Sequence, residues 1–376
     1  MPQSFPARLM IGASEHSADL LYATRMFVPD PFVWLQTGRK TLGVFSALEV
    51  DRARGQARLD EVMEQSQVEA LLKRPPAAAA GRFLHSIAAL LRSRRIRTVE
   101  VPYWTEAGLV EFLRSEKIRV EIVDGPFFPG REIKTEEEVR AIIRGQRQAE
   151  AGMARAFEVL RACSEGNRRL LRWNGRALTS EILRGEIDAA VVRAGGIPGH
   201  TIVAGGLQGC DPHERGHGPL RAHEALILDI FPRDQSSGYF GDLTRTVVKG
   251  RASEALRRQY ATVLAGQKKA LRAIKAGVDG AKLHQSVKDF FTSEGYPTEQ
   301  REGRWVGFFH GTGHSLGLEI HEPPRFAAGK FKAGHVMTVE PGLYYPETGG
   351  VRIEDLVTVT RTGHRNLTRT PKFLEI

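Results

Sequence analysis

Two periodicities of apolar and polar positions alternate along the chain, and the switches between them predict its elements. "FVWLQTG" (32–38) and "TLGVFSALEVDRAR" (41–54) read as strands. "RFLHSIAALLRSRRI" (82–96) has the spacing of an amphipathic helix, and "TVEVPYW" (98–104) that of a buried strand. A further helix, "AGLVEFLRSEKI" (107–118), and a strand, "VEIVDG" (120–125), complete a mixed α/β unit, a sheet covered by helices. "GPFFPGREIKT" (125–135) then breaks the pattern with two prolines and two glycines, which predicts a boundary between domains 1–130 and 131–376. Thr135 is the expected N-cap of a long helix, with Glu138 closing a capping box and Glu136 and Glu137 suited to the helix dipole. Helices are predicted over 139–164 and 178–195 and again over 253–277 and 279–295, each pair followed by strands. The second domain thus reads as a weakly duplicated α+β unit.

Charge disturbs this pattern in two places. "ALILDIFPRDQSSGYFGDLTRTVV" (225–248) reads as a hairpin. Folded between Gln235 and Ser236, it sets Asp229 opposite Asp242. "VMTVEPGLYYPETGGVRIEDLVTVT" (336–360), folded at Glu347 or Thr348, sets Glu340 opposite Glu354. Like charges facing each other across strands are destabilising, and Asp is a poor strand former. Each pair therefore calls for a cation or a shared proton. Between the hairpins lies "HGTGHSLGLEIHEPP" (310–324), with His310, His314 and His321, out of only twelve histidines in the chain. Four carboxylates and an imidazole suit two divalent ions. In one straight strand His314 and His321 would face opposite ways, since their spacing is odd. A bend, for which Gly317 offers the place, is expected.

Composition narrows the rest. The chain has 376 residues, 41% hydrophobic and 26% charged, as in ordinary soluble domains. No run approaches the roughly 20 apolar residues of a membrane span, and the first residues show no secretory pattern. Two cysteines, Cys163 and Cys210, make no disulfide framework, and a cytoplasmic location is expected. The net charge of +10 is spread as arginines beside glutamates, without a basic run carrying aromatics, so no nucleic-acid partner is expected.

The acidic hairpins and the histidine segment resemble the metallopeptidase family of methionine aminopeptidase, aminopeptidase P and prolidase. The resemblance implies a pita-bread C-terminal domain behind a creatinase- and prolidase-like N-terminal one. It also implies metal ligands Asp229 in "LILDI", Asp242 in "GDLTRT", His314 in "GTGHSLG", Glu340 in "TVEPGLY" and Glu354 in "RIEDLV". In the proline-directed branch, His213 in "GCDPH" and His321 would be catalytic beside Glu340, while His310, Tyr344 and Arg352 would line the substrate pocket. The implied activity is that of an Xaa-Pro aminopeptidase using a hydroxide activated by two metal ions, manganese first, with cobalt, zinc or iron as alternatives. The substrate would be a peptide with proline second, and the assembly a homodimer. The alternatives are an Xaa-Pro dipeptidase and an inactive binding module on the same fold. Arg245 is read as a supporting ion-pair residue, and His200 and His217 as ordinary loop histidines. The connection between Asp229 and Asp242 is about two residues longer than the family's usual hairpin, a difference expected at its tip.

Overall fold

The computed structural model describes residues 6–74, 76 and 78–376. The chain divides between Pro129 and Gly130 into two units.

The first unit holds one six-stranded sheet. Its strands are β1 (Ala7–Gly12), β2 (Phe32–Thr37), β3 (Lys40–Phe45), β4 (Glu61–Glu64), β5 (Thr98–Pro102) and β6 (Arg119–Val123), in the order β4-β3-β2-β1-β5-β6. Successive side chains alternate between two buried faces. Leu9, Val33 and Leu35 pack with Leu90, Leu91 and Leu113 of two helices. Met10, Phe32 and Trp34 pack on the other face with Leu20, Val50 and Ala53. Burial on both faces explains why these strands read as continuous apolar runs. The stretch 41–54 is strand only as far as Phe45, and Val50–Gln56 is a helix. Val50 and Ala53, three apart, are the residues it buries, so a helical period replaces the strand period there.

The second unit begins with a helix of 27 residues, Glu136–Ala162, whose Thr135–Glu138 capping box is formed on both sides. It packs with the helix Ser180–Arg193 over the strands Ile202–Gly205, Leu226–Ile230 and Leu243–Val247. The helices Glu254–Ala273 and Gly280–Ser293 share a second core with the strands Val336–Val339, Gly342–Tyr345, Gly349–Arg352 and Asp355–Val359. The duplication read from the sequence is therefore present as two helix pairs, each on its own strands. The halves join where the backbone N–H of Glu354 donates to Thr244 O (3.1 Å) and Thr246 Oγ1 donates to Arg352 O (3.0 Å). Among the described residues no helix is long and apolar enough to cross a membrane.

His335 in this unit yields a pH prediction. It is 2% exposed, and its Nε2 has no hydrogen-bond partner among the described residues. Burial, then Lys134 and Lys332, push its pKa down to about 4. An unfolded histidine takes its proton near pH 6.5. Between those values the unfolded chain binds more protons, so stability is full above about pH 6.5 and is lost as pH falls toward about 4. His335→Asn is expected to reduce the fall in melting temperature between neutral pH and pH 4 relative to wild type. Parallel melting curves would refute this.

Candidate metal centre

The strand Leu226–Ile230 turns Leu226, Leu228 and Ile230 into the helix-covered core. Alternation then directs Ile227 and Asp229 to the opposite face. Asp229 pairs across the ladder with Thr244, not with Asp242 as expected. The cause lies at the hairpin tip. Asp234 accepts hydrogen bonds from Ser236 Oγ (2.7 Å) and from the N–H of Ser237 (3.1 Å), which centres the reversal between Ser236 and Ser237. That is one residue beyond the expected fold point, and it moves each partner by two positions. A shift of two preserves the face, so Asp242 remains on the side of Asp229.

Asp242 lies just outside its strand, and its backbone N–H donates to Gln146 Oε1 (2.9 Å) on the long helix. The approach depends on two glycines. A Cβ on Gly241 would lie 2.2 Å from the backbone carbon of Gly145, and one on Gly145 would lie 2.7 Å from the nitrogen of Gly241. Neither backbone can yield. Gly241→Ala is expected to cost about 1–3 kcal/mol of stability by overpacking and to weaken metal binding by displacing Asp242. Unchanged melting and an unchanged manganese titration would contradict it.

The second hairpin has the expected register. Val339 pairs with Asp355 and Gly342 with Arg352, so Glu340 and Glu354 face each other at the gap between two ladders. Pro341, which has no N–H to donate, sits in that gap. The histidine segment bends as expected. Ser315 bridges Glu322, and the N–H of Gly317 donates to Glu319 O, so the chain doubles back. The rings of His314 and His321 meet edge to face, 4.3 Å between centroids.

These elements converge. His314 Nε2 lies 3.4 Å from Asp242 Oδ2 and 3.5 Å from Glu340 Oε1. One ligand atom each from Asp242, His314 and Glu354 lie within 4.8 Å of one another. Thr244 Oγ1 donates to Glu354 Oε2 (2.8 Å), and Thr338 Oγ1 donates to Glu340 Oε1 (3.1 Å). Arg352 Nη2 donates to Asp229 Oδ2 (2.7 Å), whereas the buried Asp229 Oδ1 has no partner among the described residues. Burial first, and then the repulsion of neighbouring carboxylates, hold Asp242 and Glu354 well above the usual carboxylate range. Glu340 is raised mainly by burial. A buried, mutually repelling carboxylate cluster beside an imidazole, with one buried oxygen unpartnered, fits divalent cations.

The cluster forms the floor of a cavity of about 650 Å³, which His213, His310, His321 and Arg352 also line. Tyr344 does not line it, being fully buried. Its hydroxyl accepts from Arg352 Nη1 (3.0 Å) and donates to His310 Nε2 (2.7 Å), so it connects two wall residues from behind. Burial, then Arg352, push His310 down to about 3, so the ring is neutral, and with Nδ1–H donating to Gly311 O (2.8 Å) its Nε2 is the acceptor. His321 is also lowered, by burial and then by His314. His217 is absent from the lining, but His200 and Arg215 belong to it. Burial pushes the Cys210 thiol up to about 12, which disfavours the thiolate.

The sequence alone reads His200 as an ordinary loop histidine and singles out none of Arg215, Thr244 and Thr338. The two threonines carried a signal. Each lies two residues from a candidate ligand, Asp242 or Glu340, and residues two apart in extended chain share a face. His200 and Arg215 carried none, since both lie on loops.

Comparison with known proteins agrees with the geometry. Residues 133–361 match the model of metallopeptidase family M24. An uncharacterized peptidase, YqhT, of Bacillus subtilis is 38% identical over 178 residues, 46% of this chain and 48% of that protein. An Xaa-Pro dipeptidase of Pyrococcus horikoshii is 35% identical over 185 residues, with the same coverage. The chain thus spans about half the length of the curated relatives it matches. The crystal structure of an X-Pro aminopeptidase from Thermotoga maritima superposes with a TM-score of 0.81 at 22% identity, over 99% of this chain and 97% of that one. The expected pita-bread fold is borne out by that likeness. With its family match covering both acidic hairpins and the histidine segment between them, the chain belongs to metallopeptidase family M24.

Proposed function

We propose that the protein is a metal-dependent Xaa-Pro aminopeptidase, releasing the residue that precedes an N-proximal proline. The observation that carries this reading is the convergence of Asp229, Asp242, His314, Glu340 and Glu354 on the floor of one cavity walled by His213, His310 and His321. The five would hold two divalent ions, manganese first. Bound there, such ions supply a water nucleophile at neutral pH and polarise a carbonyl.

The protein's own groups do the rest. Glu340, steadied by Thr338, takes a proton from the water and returns it to the leaving nitrogen. His213 and His321 donate hydrogen bonds to the developing oxyanion of the substrate. Arg352 fixes Asp229 and, through Tyr344, the orientation of His310, which shapes the proline side of the pocket. The N-terminal unit would be the creatinase- and prolidase-like domain, and the assembly a homodimer.

A second reading, an Xaa-Pro dipeptidase, is favoured by the name of the Pyrococcus relative and by Arg215 in the cavity wall, a cation suited to a dipeptide's carboxylate. A cavity of about 650 Å³, within the roughly 300–1,000 Å³ of pockets that enclose whole ligands, admits either substrate, so the assay separates the two readings. The test strips the protein of metal, restores manganese, cobalt or zinc, and offers Ala-Pro, a tripeptide with proline second, and Met-Ala-Ser. Metal-dependent release of the first residue from the tripeptide is expected. Hydrolysis of Ala-Pro alone would favour the dipeptidase. Failure on every peptide despite bound metal would overturn the substrate class, and failure to bind metal would leave a binding module.

A further inference from the structure

We propose that Glu322 is a positioning residue. By anchoring the doubled-back segment 315–322 to Lys134 and Arg131, it holds His314 and His321 at one site. The inference rests on the metallopeptidase reading above.

Glu322 does not line the cavity, and its side chain is 2% exposed. Its Oε1 accepts from Lys134 Nζ at 2.7 Å, and the Lys134 side chain is itself 1% exposed. Its Oε2 accepts from Arg131 Nη2 at 2.6 Å and from the backbone N–H of Glu319 at 3.3 Å. Lys134 and Arg131 belong to the segment ahead of the first long helix, 188 and 191 positions away in sequence. One carboxylate therefore ties the bend to a part of the unit distant in sequence.

The bend is built around that carboxylate. A Cβ on Gly317 would lie 2.3 Å from Glu322 Oε1 and 2.7 Å from its carboxyl carbon. The φ of Gly317 is not left-handed, so glycine is needed there for space and not for conformation. The N–H of Glu322 donates to Ser315 O (3.1 Å), closing the bend next to His314 at one end and His321 at the other. Extended chain would send those two rings to opposite faces, yet their centroids are 4.3 Å apart. A buried ion cluster is weak evidence for stability, because desolvation offsets the attraction. Fixing the geometry of the two histidines is the consequence that remains.

The experiment uses the full chain. Wild type, Glu322→Gln, Gly317→Ala, His321→Ala and the double variant Glu322→Gln/His321→Ala are compared by manganese calorimetry, by kcat and KM on an Xaa-Pro tripeptide, and by melting. Glu322→Gln is expected to lower kcat and manganese affinity by about 10–100-fold, as for groups that orient metal ligands, with KM little changed. The double variant is expected to be no slower than the slower single, since both substitutions remove one function. Gly317→Ala, which displaces the carboxylate without changing charge, should reproduce the loss, and it decides the matter should Glu322→Gln fail to fold. Variants that melt lower but keep kcat and manganese affinity would overturn the proposal, as would losses that multiply in the double variant. Wild type that binds manganese and turns over, with unaffected variants, sinks this inference alone. Wild type that neither binds nor hydrolyses sinks the metallopeptidase reading with it.

Discussion

Asp242→Asn is expected to abolish productive metal binding and to lower kcat/KM by roughly a thousandfold or more, a loss of about 4 kcal/mol of transition-state stabilisation. Its carboxylate lies within reach of both His314 and Glu354, and the main chain at Gly241 leaves no slack for a neighbour to replace it. Stability without metal should move the other way. Burial and the repulsion of Asp229 and Glu340 hold the Asp242 carboxyl well above its usual range. For an acid raised in this way, the folded state binds more protons than the unfolded one above the unfolded pKa near 3.9, so ionisation at neutral pH opposes folding. Removing the charge relieves that penalty. In chelator the variant should melt at or above the wild-type temperature, and the rise on adding manganese, about RT ln(1 + [L]/Kd) in free energy, should vanish. A calorimetric titration showing the wild-type manganese stoichiometry would end the assignment of Asp242 as a ligand.

Arg245→Ala should give the largest loss of stability. Arg245 is 1% exposed. Its guanidinium donates to Asp355 Oδ1 (3.0 Å) and to the backbone carbonyls of Pro371 (3.0 Å), Thr370 (2.7 Å), Thr244 (2.9 Å) and Glu354. It thus ties both hairpins and the C-terminal segment to one cation. Truncation leaves Asp355 buried with Lys372 and Asn366, and orphans several carbonyls. Breaking a buried pair costs about 3–5 kcal/mol, a fall in melting temperature on the order of 10 °C for a unit of this size. Lysine should not rescue it, because an ammonium cannot reproduce the planar fork. Melting within a few degrees of wild type, by roughly the same scaling, would show that water replaces these contacts.

The candidate site was legible because its residues break local rules. Asp229 stands in an apolar strand, and Glu340 and Glu354 face each other across a hairpin whose register followed from its symmetric turn. Asp242 was placed on the correct face although its partner was wrong, since a two-residue slip preserves side-chain direction. Tyr344 was expected in the pocket wall and lies behind it. No local pattern separates a tyrosine that touches substrate from one that holds the residues that do.

What the sequence by itself determined is therefore what acts over a few residues. It carried the capping box of Thr135 and Glu138, the helical and strand periods, the break at 125–135, and the opposed carboxylates that call for a cation or a shared proton. The tertiary structure alone decided the glycine contact between residues 145 and 241 and the anchoring of the expected bend between His314 and His321 by Lys134 and Arg131. The reason is range. Periodicity and capping are settled by neighbours along the chain, whereas a side chain such as Glu322 meets Lys134 only after the unit has closed and water has been expelled from between them.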